Sequence, residues 1–295
     1  MADRFISSEQ MVEEITAEVQ RVSEAFQFIL KYREQFQPTG IEFSDLRQYN
    51  PGDDASRIDW RSSARLNDLY VKEYEEEQDM DVFIIMDVSD TTDFGTADKL
   101  KSEYFATLAG TIAYASVDMA VNVGIGMFGE DITFLSPDGG QKQYQKILRE
   151  VTNPDNFGGT FDFEESLNEL LKRVKDNTFV FIISDFIDFD HGEWEPKLKV
   201  VNSKYRNVFT LMVRDRRDYE LPEVGNMRFK SPSGGQKLVV DTNKFKQRFE
   251  EEAAAQEEEV EQKLRTSGAE FVKIDTRDSF AAELLSYFDQ SGGGW

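Results

Sequence analysis

The sequence contains no cysteine and only one histidine, His191. These absences exclude disulfide bonds, thiolate metal sites, cysteine nucleophiles and a zinc site built from several histidines. No segment approaches the roughly 20 continuous apolar residues needed to cross a bilayer, and the N-terminus lacks the apolar core of a secretory signal. We therefore expect no membrane-spanning segment and a cytoplasmic location.

Positive charge is also scarce. The chain has 34 Lys and Arg residues against 57 Asp and Glu residues, which gives a net charge of −23 and a pI near 4.5. Such a surface repels phosphate backbones and anionic lipids, so nucleic-acid binding and simple membrane-surface roles are disfavoured. Divalent cations and basic protein partners are favoured instead.

Hydrophobic periodicity organises the 295 residues. Apolar residues at helical spacing predict an amphipathic helix over 9–35. Beyond residue 79, apolar strands alternate with helices of crossover length, a pattern typical of an α/β fold with an open, mostly parallel sheet covered by helices on both faces. The predicted segments are an N-terminal helical segment (1–40), an irregular aromatic-rich segment (41–78), the α/β domain (79–290) with an irregular or β insert (214–242), and a flexible tail (291–295).

Two fully apolar runs, 82–86 and 178–183, are expected to be strands buried on both faces of the sheet. Ligands of such sheets bind at the carboxyl ends of strands, near the point where the strand order reverses. We expect Thr96 to cap a long helix over 97–118, and Trp60 to anchor the core of the 41–78 segment.

Oxygen-bearing side chains follow both apolar runs and also a Gly-Gly loop. They belong to Asp87, Ser89, Thr91, Thr160 and Asp185. Residues two apart in a loop that leaves a strand can point towards one position, and the glycines at 158–159 allow the backbone to pass close to it. Carboxylates and hydroxyls without His or Cys suit a hard divalent cation, with Mg²⁺ as the default and Mn²⁺ or Ca²⁺ as alternatives.

The order of these residues resembles the metal-ion-dependent adhesion site (MIDAS) of von Willebrand factor A domains. That resemblance implies a von Willebrand factor A-like, Rossmann-like fold. It also implies that Ser89, Thr91 and Thr160 coordinate the ion directly, whereas Asp87 and Asp185 act mainly through water. Thr91 replaces the commoner third-position Ser, and Phe186 replaces the Gly of a common Thr-Asp-Gly motif. The function implied is binding of a partner's carboxylate, without catalysis.

The sequence of the 41–78 segment makes the resemblance more specific, because it points to one family. It reads IEFSDLRQYNPGDDASRIDWRSSARLNDLYVKEYEEEQ and is similar to the signature of a bacterial and archaeal family of unknown function with a von Willebrand factor A-like domain. The resemblance covers roughly residues 40–288. Members are commonly encoded beside MoxR-type AAA+ ATPases, which implies an adaptor that works with such an ATPase in the assembly, remodelling or maturation of a client protein.

Two alternatives stay open. Asp87 after an apolar strand also resembles the nucleophile of haloacid-dehalogenase-type phosphatases, but those enzymes need a second Asp as general acid where this chain has Ser89. No lysine is identified for the charge clamp of such an enzyme. The other alternative is a structural subunit in which the same residues form a hydrogen-bonded scaffold with a non-functional metal site.

Overall fold

The computed structural model describes residues 10, 12–13, 15–16, 43–50, 53, 58–66, 68–74, 80–96, 99–187, 194–205, 207–230, 237–280, 282–283 and 286. Most of the helix predicted over 9–35, together with His191 and the tail 291–295, lies outside the described residues. The chain divides into two compact units, residues 28–79 and residues 1–27 with 80–295.

The 28–79 unit holds an antiparallel hairpin of β1 (Phe43–Gln48) and β2 (Tyr70–Tyr74), with the short helix α1 (Trp60–Leu66) between them in sequence. The Asp59 carboxylate accepts the backbone N–H of Arg61 at 3.0 Å, so it satisfies a donor that the helix start leaves free. The prediction that Trp60 anchors a core is wrong, since this side chain is 68% exposed.

The larger unit is built on a six-stranded sheet. Its strands are β3 (Asp81–Asp87), β4 (Asn122–Phe128), β5 (Ile132–Asp138), β6 (Thr178–Ser184), β7 (Asn207–Arg214) and β10 (Glu270–Asp275); β8 (Asn226–Lys230) and β9 (Lys237–Asp241) form a separate hairpin. The sheet order is β10-β7-β6-β3-β4-β5, and every neighbouring pair is parallel except β4 with the edge strand β5.

Helices cover both faces of this sheet. They are α2 (Lys101–Asp118), α3 (Gly140–Val151), α4 (Phe163–Arg173), α5 (Trp194–Lys204) and α6 (Thr242–Ser267). Helices α4, α5 and α6 share one core with Phe83 and Ile85, whose side chains point to one side of β3. Helix α2 packs against α3 and the central strands, away from that core. The predicted α/β fold, an open and mostly parallel sheet with helices on both faces, is confirmed.

Burial explains the central strands. All seven residues of β3 and of β6 are buried, so neither strand has a face exposed to solvent. Each fully buried large apolar side chain contributes about 1.5–3 kcal/mol to stability. Among the described residues, no helix combines the length and the apolar character that crossing a bilayer requires.

The start of α2 differs from the prediction. The helix begins at Lys101, not at residue 97, and Thr96 does not cap it. Instead, the Thr96 N–H and hydroxyl donate to the two carboxylate oxygens of Asp215 at 2.9 and 2.7 Å. A carboxylate 119 residues away in sequence therefore holds Thr96 outside the helix, and no local pattern reveals such a partner.

Candidate metal centre

The candidate site lies where the strand order reverses. From β3 the chain first adds β4 and β5 on one side, and it later returns to add β6 and β7 on the other. The carboxyl ends of β3 and β6 therefore meet at the switch point, where α/β sheets of this kind bind ligands. Asp87 ends β3 and Asp185 directly follows β6, so both predicted carboxylates lie at this point.

The loop after β3 brings the first hydroxyls together. Asp87 Oδ1 accepts the backbone N–H of Ser89 at 2.9 Å, which turns the chain as it leaves the strand. A single 3₁₀ turn follows at Asp90–Thr92, and it places Ser89 Oγ 3.0 Å from Thr91 Oγ1. Two of the three predicted direct ligands are therefore adjacent.

The loop after β6 completes the arrangement. Ser184 Oγ donates to Asp87 Oδ2 at 2.7 Å. Thr91 Oγ1 donates to Asp185 Oδ1 at 3.3 Å, and the Ile187 N–H donates to the same oxygen at 2.9 Å. Four of the five predicted residues therefore form one connected group. Ser184, which ends β6 and bonds it to the Asp87 carboxylate of β3, is not among the five residues predicted.

The Gly-Gly loop that precedes Thr160 is held against the loop after β3 through backbone hydrogen bonds. The Gly158 N–H donates to the Val88 carbonyl at 2.7 Å, and the Gly159 carbonyl accepts the Asp90 N–H at 2.9 Å. Gly159 has a φ of +79°, and a Cβ there would lie 2.6 Å from the backbone nitrogen of Glu130. Only glycine fits this position. The Thr160 side chain is exposed, and among the described residues no hydrogen bond joins it to the other four.

A cavity of about 760 Å³ opens beside the Gly-Gly loop. Thr160 lines it, together with apolar side chains such as Phe128 and Phe157. Its charged lining residues are all acidic: Asp90, Glu130, Asp162 and Glu165. The surface next to Thr160 therefore favours a positively charged group.

The structure adds a buried lysine that the sequence analysis missed. Lys101 is the first residue of α2 and is only 1% exposed. Its ammonium lies 2.7 Å from Asp185 Oδ2 and 3.0 Å from both oxygens of Asp218. Burial would lower the pKa of Lys101, but the charges of Asp185 and Asp218 outweigh it and raise that pKa. The sequence offered one indication of this ion pair. A lysine near a helix N-terminus is unfavourable next to the positive end of the helix dipole, so nearby carboxylates are expected to stabilise it.

The electrostatics of the group favour an added cation. Asp87 is 1% exposed. Burial, and then repulsion from Asp185, raise the pKa of Asp87 from its ordinary 3.8 to about 7, although hydrogen bonds from Ser89 and Ser184 oppose the change. Two buried carboxylates thus lie close together, and the Lys101 ammonium contacts only the second.

The residues present fit a hard divalent ion. Adjacent oxygens around an octahedral Mg²⁺ lie about 3 Å apart, because each metal–oxygen distance is 2.0–2.1 Å. The Ser89–Thr91 and Thr91–Asp185 oxygen separations are 3.0 and 3.3 Å. The described residues contain no group of three or more His, Cys, Asp or Glu side chains suited to a metal. The predicted site needs only two carboxylates, since hydroxyls supply its other ligands.

Phe186 adopts an unusual backbone conformation next to Asp185. Its φ is +52°, in the left-handed region that few residues other than glycine occupy. The ring is buried and packs edge-on against Phe163, with the ring centroids 5.7 Å apart. A packed aromatic side chain therefore occupies a left-handed backbone position directly after Asp185.

Comparisons with known proteins give several similarities. The Uncharacterized protein Mb1516 of Mycobacterium bovis is 25% identical over 253 residues, which are 84% of this chain and 78% of that protein. YeaD of Bacillus subtilis is 23% identical over 108 residues, 37% of this chain and 25% of that protein.

Among solved structures, BatB from Bacteroides thetaiotaomicron covers 72% of this chain and 99% of its own, with 15% identity and a TM-score of 0.45. The SpRpn10 VWA domain covers 70% of this chain and 94% of its own, with 10% identity and a TM-score of 0.38.

The family described as Protein of unknown function DUF58 matches residues 45–259. That match spans nearly all of the 41–78 segment, the candidate site and most of the sheet. It covers well over half of the 295 residues. The chain therefore belongs to the DUF58 family.

Proposed function

We propose that this protein is a non-enzymatic, protein-binding adaptor that binds a carboxylate of its partner through a metal-ion-dependent adhesion-type site. The observation that carries the proposal is the convergence of Ser89, Thr91 and Asp185 oxygens at 3.0 and 3.3 Å beside buried Asp87. A bound Mg²⁺, or Mn²⁺ or Ca²⁺ in its place, would supply Lewis acidity towards a carboxylate oxygen.

The residues of the proposed site have two different roles, direct coordination of the ion and indirect stabilisation through water. Ser89, Thr91 and Thr160 would hold the ion through hydroxyl oxygens, which neutralise none of its charge. Both oxygens of Asp87 already accept hydrogen bonds, from the Ser89 N–H and the Ser184 hydroxyl. Asp87 therefore suits an indirect role through water, in which it supplies negative charge without direct coordination.

The partner we propose is a MoxR-type AAA+ ATPase, with a client protein as a second partner in assembly, remodelling or maturation. Family resemblance supports this choice of ATPase. The acid-lined cavity beside Thr160 adds a chemical requirement, because its four carboxylates favour a partner with a basic side chain near the bound carboxylate.

A phosphatase role is less well supported. A nucleophilic Asp must reach a phosphoryl group in line, yet Asp87 is 1% exposed and both its oxygens are hydrogen-bonded. Lys101 does supply a buried cation, contrary to the sequence analysis, which found no such lysine. It contacts Asp185 and Asp218, however, and no described hydrogen bond or ion pair joins it to Asp87.

The test is capture of a MoxR-type ATPase on immobilised protein, in Mg²⁺ and in excess chelator. We expect capture in Mg²⁺ only, and its loss in folded Asp87→Ala and Thr160→Ala. Thr160→Ser is the matched control, because it keeps the hydroxyl and should keep binding. Equal capture in chelator, or by folded Thr160→Ala, would contradict the proposal. Turnover of a phosphate ester that Asp87→Asn abolishes would favour the phosphatase instead.

A further inference from the structure

Lys101 lies in an unusual place for a metal site. Its ammonium contacts Asp185 Oδ2, while Thr91 contacts Asp185 Oδ1, so a fixed positive charge and the proposed ion would share one carboxylate. The ammonium is buried and its exposed fraction is 1%. Water therefore screens it poorly, and it repels a cation bound on the other side of Asp185.

Asp218 holds Lys101 there. Both Asp218 oxygens lie 3.0 Å from the ammonium, and Oδ2 also accepts the Asp215 N–H at 2.8 Å. The 3₁₀ turn Arg216–Asp218 after β7 fixes that geometry. The lysine is thus paired in place, and its charge is a permanent part of the site.

We propose that Lys101 makes ion binding depend on the partner's carboxylate. The proposal rests on the function proposed above. With Lys101 in place, the ion alone meets a carboxylate that is already partly neutralised, so it binds weakly. For the same reason, Asp185 offsets less of the ion's charge, so the loaded site attracts an anion more strongly than it would without the Lys101 ammonium. Ion and partner carboxylate would therefore bind together, and neither would bind tightly alone.

The wild type and three variants separate the effect of the Lys101 charge from an effect of Lys101 on the position of Asp185. Lys101→Met adds one unit of negative charge, Asp218→Asn removes one, and the double variant Lys101→Met with Asp218→Asn restores the original charge without the lysine. Other buried charges near the site, such as Arg214 and Asp215, are the same in all four. Methionine has a length similar to that of lysine and suits a buried position.

The experiment is calorimetric titration with Mn²⁺ at about pH 8.5, in acetate and, at equal ionic strength, in chloride. For the wild type we expect acetate to tighten Mn²⁺ binding by roughly tenfold or more. Lys101→Met should bind Mn²⁺ in chloride about tenfold more tightly than the wild type, with little effect of acetate. The double variant should bind Mn²⁺ in chloride about tenfold more tightly than Asp218→Asn, because the lysine's charge is removed in this comparison too.

Three results would overturn the inference. One is a wild type that binds Mn²⁺ equally well in acetate and chloride, which would leave the metal site itself intact. Another is a double variant that binds Mn²⁺ no more tightly than Asp218→Asn, because removal of the lysine's charge would then have no effect on the ion. The third is a folded wild type that binds no Mn²⁺ in either salt, which would also overturn the proposed function. If Lys101→Met does not fold, Asp218→Asn decides, since it should weaken Mn²⁺ binding in chloride and strengthen the acetate effect.

Discussion

At the scale of the residue, Asp87 links the candidate site to stability. Its folded-state pKa of about 7 lies above its ordinary value of 3.8. Between those values the folded protein keeps a proton that the unfolded chain releases. The stabilisation is fully present below about pH 4 and is lost as the pH rises through 7, a change on the order of 4 kcal/mol.

We therefore predict that, in chelator, the wild-type free energy of unfolding falls between about pH 5 and pH 8, by a few kcal/mol. Asp87→Asn should lack this fall, because the amide keeps the shape without the charge. Mn²⁺ added together with acetate, in place of the chelator, should restore stability at pH 8 in the wild type only. Urea denaturation followed by circular dichroism measures all three. Identical pH profiles for the two proteins would show that Asp87 is not the group responsible.

At the scale of the element, the Gly-Gly loop determines where Thr160 lies. Gly159→Ala would force a Cβ to within 2.6 Å of the Glu130 nitrogen, whereas a Cβ at Gly140 meets nothing within 4 Å. Both glycines have positive φ, +79° and +76°. Gly140→Ala therefore carries the same backbone strain, about 1 kcal/mol, without the clash.

We predict that Gly159→Ala loses Mn²⁺ binding measured in acetate, while Gly140→Ala keeps it. Gly159→Ala should also lose more than the 1 kcal/mol or so expected for strain alone, as measured by urea denaturation. Normal Mn²⁺ binding by folded Gly159→Ala would mean that Thr160 is not a ligand.

The elements also show what sequence can and cannot predict. The strands β3 and β6 were predictable because their residues are continuously apolar and buried on both faces. Their adjacency at the switch point follows from α/β topology. The Lys101–Asp185 and Thr96–Asp215 pairs were not predictable, since they join residues 84 and 119 positions apart. The positive φ of Phe186 was also hidden, because tertiary packing against Phe163 stabilises it.

At the scale of the whole molecule, the acidic composition and the site are consistent with one another. A net charge of −23 attracts cations from a distance, and the acid-lined cavity concentrates that field beside Thr160. Among the described residues, Lys101 is the one buried cation that contacts a predicted ligand of the ion. Long-range attraction of a basic partner and local binding of its carboxylate are thus separate features of the same surface.

Mn²⁺ titration of the wild type, Thr91→Ser and Thr91→Val in acetate is the decisive experiment for the proposed metal site. Thr91→Ser keeps the hydroxyl that lies between Ser89 and Asp185, whereas Thr91→Val removes it at nearly constant volume. The account predicts saturable binding of one ion by the wild type and Thr91→Ser, and a loss of at least about tenfold in affinity for folded Thr91→Val. Equal binding by all three proteins, or no binding by the folded wild type, would contradict it.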